Sequence, residues 1–349
     1  MSGVTIHEVA TRAGVSASTV SRAFTNPQLV RADTRDRVLQ LARDLGYTPN
    51  RAARGLITGR TGNIGVVVPD LANPFFSAVL KGANARAREA DQIVFLADTD
   101  EDPGVEEDLV RAMAKQVDGI VLCSSRMSGH QLHELMPSIP LVLLNRREDD
   151  RPAVLFDNVA GVRRLLAHLG ALGHRRVAYL GGPRTSWSDR ERRRGMRLAA
   201  RREAVDLVEL GPFEPTYEGG LRAADPAAAT GATAVVAFND LMALGVLNRL
   251  AARGVAVPGE VSVAGFDGIP TAGMGALPLT TVALPMVQAG RAAIDLLLER
   301  LADPDPDAGR LQRVLDVDLL VRSTTATPLA PPPTPPPNPP TADVQGGRP

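Results

Sequence analysis

Cysteine is almost absent: Cys123 is the single one in 349 residues. No intrachain disulfide can form, and a cysteine-based zinc cluster lacks its ligands. Aromatic residues are 3% of the chain, so each one beside a ligand pocket carries more information than usual. No run of about eighteen apolar residues occurs, which excludes a bilayer-spanning helix. The start, Met1-Ser2-Gly3-Val4-Thr5, has no basic segment followed by an apolar one, and the expected location is the cytoplasm. Missing too are a Gly-x-Ser-x-Gly elbow, a P-loop and a Gly-rich dinucleotide fingerprint, and Gly181-Gly182-Pro183 alone is too weak a phosphate signal. His130 and His133 have no Cys or third His nearby in the sequence. The expectation is a chain with no catalytic set, no metal site and no cofactor, which is to say not an enzyme.

What is present is unevenly spread. The formal net charge is zero, yet residues 1–60 hold nine arginines against four carboxylates, a surplus of five that the rest of the chain cancels. Polyanion attraction follows local cationic charge, so a basic head on an acidic body suits a nucleic-acid-binding module. Chance surface variation produces differences of this size as well.

Within the head, Ile6, Val9, Ala10 and Ala13 fall at amphipathic-helix spacing, and Thr5 with Glu8 makes a capping box. Gly14 stops this helix. Ser16 can cap a second, with Val20, Ala23 and Phe24 inward, and Val38, Leu41, Ala42 and Leu45 mark a third that ends at Gly46. Two short helices joined by a Gly-containing turn make a helix-turn-helix. Such pairs also occur in proteins that never meet DNA. The polar face of the second helix shifts the weight: Ala17, Ser18, Thr19, Ser21 and Arg22 are small or hydrogen-bonding, and a helix of short side chains can lie deep in a groove. Arg22 suits bidentate reading of a guanine, Thr19 and Ser21 suit phosphates.

The segment from Asn50 to Arg60 favours helix by composition, but Gly55 and its length of about ten residues make it unstable alone. Beyond Gly62, short apolar runs alternate with amphipathic segments. The runs are Ile64–Pro69, Ile93–Ala97, Gly119–Cys123, Leu141–Leu144, Val177–Leu180, Ala234–Phe238 and Val261–Phe266. This predicts an α/β body of parallel sheets covered on both faces, long enough for two lobes across a cleft. Ligands of such sheets bind beyond the carboxyl ends of the strands. Just after the runs stand Asp70 and Asn73 with Phe75 and Phe76; Asn145 and Arg146; Asn239 and Asp240; and Asp267. Arg192 and the loop residue Phe213 join them. Directional polar groups around an aromatic face suit a polyhydroxylated small molecule, although each polar residue singly suits a turn or a cap.

The head, through Thr5-Ile6-His7-Glu8-Val9-Ala10, Ala13-Gly14-Val15-Ser16, Thr19-Val20-Ser21-Arg22 and Leu45-Gly46-Tyr47-Thr48-Pro49-Asn50, resembles the DNA-binding domain of the lactose-repressor (LacI/GalR) family of bacterial transcription regulators. The likeness continues through Asn73-Pro74-Phe75-Phe76, Gly173-His174-Arg175-Arg176-Val177, Phe238-Asn239-Asp240, Gly265-Phe266-Asp267 and Pro278-Leu279-Thr280-Thr281-Val282, covering roughly residues 4–325. Arg31 stands where the family usually has a Ser capping the third helix, His7 replaces a frequent Asp or Tyr, and Asn145 replaces a common Asp. The resemblance implies a helix-turn-helix head at 1–48, a hinge helix at 49–60 and a two-lobed type I periplasmic-binding-protein-like body at 61–325. The chain would cross between lobes near 157–160, 282–285 and 312–316. It further implies DNA contact at Thr5, Ser16, Ala17, Ser18, Thr19, Ser21, Arg22, Asn50, Arg51, Ala53 and Arg54, with Leu56 as a wedge between base pairs in the minor groove. Effector contact is carried onto Asn73, Phe75, Phe76, Asn145, Arg192, Phe213, Asn239 and Asp267. The expected partners are a double-stranded DNA operator, a sugar-like small molecule and a second copy of the chain, with no membrane. A solute-binding protein shares the body fold, and the head argues against it. Residues 326–349, rich in proline, are expected to be an extended disordered tail.

Overall fold

The computed structural model describes residues 4–47, 59–135, 139–148, 151–303 and 312–329. The head is built from α1 (Ile6–Ala13), α2 (Ala17–Thr25) and α3 (Ala32–Asp44). Thr5 and Glu8 close the capping box reciprocally: the Glu8 carboxylate accepts from the Thr5 N–H at 2.8 Å and the Thr5 hydroxyl from the Glu8 N–H at 3.4 Å. Gly14, at φ 64°, ends α1 in the left-handed region that glycine enters without steric cost. Helix α3 forms although Arg31 supplies no side-chain cap; its start rests on the Arg35 N–H donating to the Arg31 carbonyl and on Asp33 at the positive end of the helix dipole. Val9, Ala13, Val20, Ala23, Val38 and Ala42 form one small core. The rings of Phe24 and Tyr47 flank it, 6.0 Å apart.

From residue 59 onward strands and helices alternate as β1 (Asn63–Val68), α4 (Pro74–Glu89), β2 (Ile93–Asp98), α5 (Pro103–Met113), β3 (Gly119–Cys123), α6 (Gly129–Leu135), β4 (Leu141–Leu144) and β5 (Ala153–Phe156). Then follow α7 (Asn158–Ala171), β6 (Arg176–Leu180), α8 (Trp187–Arg202), β7 (Asp206–Leu210), α9 (Tyr217–Ala229), β8 (Ala234–Ala237), α10 (Asp240–Ala252) and β9 (Ser262–Asp267). The last elements are β10 (Thr280–Ala283), α11 (Met286–Ala302), β11 (Gln312–Leu315) and β12 (Asp318–Leu320). They make two six-stranded sheets, ordered β11-β5-β4-β3-β1-β2 and β12-β10-β9-β8-β6-β7. Pairing is parallel throughout except for β12, which runs antiparallel to β10. This edge departs from the all-parallel expectation, because the chain turns back on the sheet after leaving the first lobe.

Apolar runs are fully buried where the sheets are covered on both faces: Ile64, Val66, Val67 and Val68 of β1 are each at most 1% exposed. The chain passes between the sheets three times, at 156–158, 283–286 and 315–318. Late in sequence, α11 nevertheless packs on α4 in the first lobe. Glycines permit the approach: a Cβ on Gly82 would stand 1.9 Å from the Val287 carbonyl oxygen, and one on Gly290 would stand 2.0 Å from that of Val79. The carboxyl ends of β1, β3, β4, β8 and β9 face one another across the cleft between the lobes.

Candidate functional site

On α2 the hydroxyls are divided between capping and free display. Ser16 caps the helix, accepting from the Thr19 N–H at 3.1 Å, and its Oγ lies 2.9 Å from the Thr19 hydroxyl. Ala17 packs against the head core. Ser21 is partly buried, and its carbonyl accepts from the Thr25 hydroxyl at 3.0 Å. Ser18 and Arg22 are exposed and four residues apart, hence on one face. Among the described residues neither side chain makes a hydrogen bond or ion pair. Thr5 is held in the capping box. Asn50, Arg51, Ala53, Arg54 and Leu56 lie outside the described residues.

The cleft is open to solvent, and about 320 Å³ of empty space, its open mouth included, lies between its walls. From the first lobe Asn73, Phe75, Phe76 and Asn145 line it; from the second, Arg192, Asn239 and Asp267 do. Asn73 caps α4, its Oδ1 accepting from the Phe75 N–H at 3.0 Å, and so aims the two phenylalanines. Their rings meet edge to face at 5.0 Å. Asn239 caps α10 and donates through Nδ2 to the Pro215 carbonyl at 2.7 Å, which draws Pro215 into the lining.

Arg192 is 1% exposed and anchors the second-lobe wall. Its Nε donates to Asn158 Oδ1 at 3.0 Å, one terminal nitrogen donates to the Phe238 carbonyl and the other reaches Asp267 Oδ1 at 3.3 Å. The guanidinium also stacks on two rings, 4.0 Å from the centre of Phe266 and 4.8 Å from that of Phe238. Burial pushes the Asp267 carboxyl up to about 6 against the pull of Arg192. Behind it Asp240, fully buried, is raised to about 8, first by burial and then by the Asp267 charge. It accepts from the Thr281 hydroxyl at 2.6 Å and from the N–H groups of Gly268 and Ile269 at 2.8 and 2.9 Å. These bonds fasten the turn that presents Asp267, so Asp240 supports the site from outside the lining. Asp70 and Arg146 also stand outside it: Asp70 accepts from the Ala72 N–H at 2.7 Å, and Arg146 donates to the Ser125 and Met127 carbonyls.

Phe213 is not brought to the cleft. Its N–H donates to the Gly181 carbonyl at 3.0 Å, and its ring packs, partly buried, on the second-lobe core. Pro215, two residues on, lines the cleft.

Six lining residues have no counterpart in the sequence reading: Glu101, Ser124, Arg126, Ser188, Pro215 and Phe238. Arg126 grips Glu101 with two nitrogens, one at 2.8 Å. Beneath them, buried Glu106 accepts from the N–H groups of Arg126 and Met127 at 2.8 and 3.2 Å, and burial raises its carboxyl. Ser124 immediately follows β3, so the strand-end rule applied to that run would have found it. Asn145 donates to the Ser124 hydroxyl at 2.9 Å, and its Oδ1 is buried and without a partner among the described residues. Glu101, Ser124, Asn145 and Asp267 all have φ in the left-handed region, at 62°, 51°, 57° and 109°. Strain of this kind costs on the order of 1–3 kcal/mol per residue and persists where surrounding structure enforces it. Both cleft arginines already face carboxylates, so the cleft offers directional donors and acceptors, aromatic faces and little spare charge. His130 and His133 are both exposed on α6. Among the described residues, no group of three His, Cys, Asp or Glu side chains is placed to hold a metal.

Comparison with known proteins bears on both ends of the chain. The profile of the family described as bacterial regulatory proteins, lacI family, matches residues 5–50, and that of a periplasmic binding protein-like domain matches residues 166–325. The transcriptional regulator GalS of Salmonella typhimurium is 34% identical, over 86% of this chain and 90% of its own. The repressor CytR of Escherichia coli is 32% identical, over 92% and 96%. Among solved structures, the lac repressor dimer bound to operator and the anti-inducer ONPF superposes with a TM-score of 0.82 at 27% identity, over 93% of this chain and 100% of that one. A LacI family regulator from Enterococcus faecium with bound ribose gives 0.67 at 28%, over 76% and 99%.

Proposed function

The chain belongs to the lacI family of bacterial regulatory proteins, DNA-binding regulators of transcription, and from that premise we propose that it is a cytoplasmic repressor that binds a pseudo-palindromic operator as a dimer and is controlled by a neutral, hydroxyl-rich small molecule in the inter-lobe cleft. In this reading residues 1–48 read the major groove, 49–60 link and 61–325 sense. Ser18 and Arg22 face the bases, Arg22 as the candidate for bidentate contact with a guanine. Ser16, Thr19 and Ser21 stay near the phosphates. Asn50, Arg51, Ala53 and Arg54 extend the contact, and Leu56 is assigned the minor-groove wedge.

The observation that carries the effector assignment is the Asn145 Oδ1: a buried acceptor with no partner among the described residues, in a cleft lined from both lobes. A buried unmade hydrogen bond costs about 1–3 kcal/mol, which a ligand hydroxyl restores. Phe75 and Phe76 offer faces to the apolar side of a sugar ring. The proteins solved with ribose and cellobiose share this architecture. For the dimer, support comes from edge strand β2, where Ile93, Phe95 and Leu96 are 43%, 37% and 39% exposed. An exposed apolar edge suits cover by a second copy, and a two-fold axis places two α2 helices in successive major grooves. Effector and operator then act on one equilibrium, and linkage requires that an effector which weakens DNA binding binds the DNA-bound form less tightly.

The test is selection of genomic DNA fragments by the purified ligand-free protein at physiological salt, followed by release with candidate sugars. Enrichment of a two-fold symmetric site and its release by a neutral sugar are expected. No enrichment with or without a metabolite extract refutes the operator reading, and release by anionic metabolites alone refutes the neutral effector.

A further inference from the structure

Trp187 is the single tryptophan of the chain and the first residue of α8, a second-lobe helix that packs on α7. Its ring, partly buried, does not join the second-lobe core. It packs instead on a cluster made entirely of first-lobe residues, among them Val67, Leu122, Met127, Leu132 and Leu143. One residue further along the same helix is Ser188, and one turn beyond that Arg192, both of which line the cleft. Ser186 fixes the start of the helix, accepting from the Asp189 N–H at 3.2 Å.

We propose that Trp187 is a positioning residue that registers the two lobes across the cleft by seating the start of α8 on the apolar core of the first lobe. Ser188 and Arg192 are thereby held opposite Asn145 and Arg126. The proposal rests on the reading of the cleft as an effector site only for its consequence. A lobe-to-lobe contact biases the arrangement the ligand must select, and apparent affinity scales with the fraction of molecules already in it. A tenfold bias, about 1.4 kcal/mol, corresponds at about 25 cal/mol per Å² to roughly 55 Å² of indole, a fraction of the roughly 150–250 Å² that an aromatic side chain buries.

Because Trp187 is unique, the full-length ligand-free protein reports on it directly. Expected are an emission maximum well to the blue of free N-acetyltryptophanamide and several-fold protection from acrylamide. In solution X-ray scattering Trp187→Ala should have a larger radius of gyration than the parent with unchanged circular dichroism, and Trp187→Phe should restore the parental value. A solvated emission spectrum in the parent overturns the proposal, as does a Trp187→Ala scattering profile that superposes on the parent's. Should Trp187→Ala fail to fold, the quenching of the parent together with the scattering of Trp187→Phe decides. None of these measurements uses an effector, so their failure is separate from a failure of the effector assignment.

Discussion

Replacing Arg192 by methionine keeps the apolar stem and removes the charge from a site that is 1% exposed. Three acceptors lose a donor: Asn158 Oδ1, the Phe238 carbonyl and the Asp267 carboxylate. Breaking a buried pair from one side costs about 3–5 kcal/mol, because the remaining charge is stranded. That is a large share of a typical stability of about 5–15 kcal/mol. The sign of the pH dependence follows from Asp267. Its folded pKa of about 6 exceeds the unfolded value of about 3.9, so this group's contribution is greatest in acid and is lost as pH rises to about 6. Without the guanidinium the carboxyl titrates higher still, and the variant goes on losing stability through Asp267 where that group's contribution in the parent is already spent. Over the 1.5 units from pH 6 to 7.5 the gap should widen by up to about 2 kcal/mol. Urea unfolding followed by Trp187 emission measures it. Arg192→Met/Asp267→Asn should recover about 2 kcal/mol at pH 7.5, since no stranded charge remains. A loss below about 1 kcal/mol, a gap that does not grow with pH, or a double variant no better than the single one refutes the reasoning.

Above pH 7.5 the down-shifted His168, partly buried, and His174, buried, are almost wholly neutral folded and unfolded alike, and Asp240, at about 8, is a raised carboxylate still titrating. Stability of the parent should therefore fall from pH 7.5 to 8.5, by at most about 1.4 kcal/mol per unit, and Asp240→Asn should flatten that slope; a rising curve contradicts the assignment. Arg22→Ala should cost about 1–3 kcal/mol on the operator and relax preference at one base pair in each half-site; equal loss on random DNA would make Arg22 a phosphate contact instead. Asn145→Ala should weaken the sugar that releases the operator by about tenfold or more by calorimetry, as expected for an acceptor of about 1–3 kcal/mol. An unchanged Kd sinks the hydroxyl-reading role.

Strands buried on both faces were legible as apolar runs, and Gly119–Cys123 and Leu141–Leu144 have the same ends in sequence and structure. Those left unread are β5, β10 and the edges β7, β11 and β12. The edges are partly exposed and carry Asp206, Glu209, Gln312, Arg313 and Asp318. Without double-sided burial, no run forms for the eye to follow. The cleft was legible wherever a polar residue directly follows a strand or caps the next helix, as Asn73, Asn239 and Asp267 do. Glu101 and Arg126 were not, because their partnership joins two loops 25 residues apart. Phe213 stands outside the lining: its aromatic character suggested a wall, whereas its N–H bonds to the Gly181 carbonyl and its side chain packs on the core, contacts invisible in sequence.

The three passages between sheets constrain the order in which this molecule can come into being. The first lobe is begun by residues 63–156 but needs α11 and β11, at 286–302 and 312–315, before its sheet edge at β5 is paired and α4 is covered. On a ribosome the whole second lobe, 158–283, must emerge before the first can close. At roughly 5–20 residues per second, that interval leaves an apolar face and an open strand edge uncovered for about 8–30 seconds. Neither lobe can be excised as one continuous piece of chain, and a truncation before residue 312 should leave the first lobe without its outer strand.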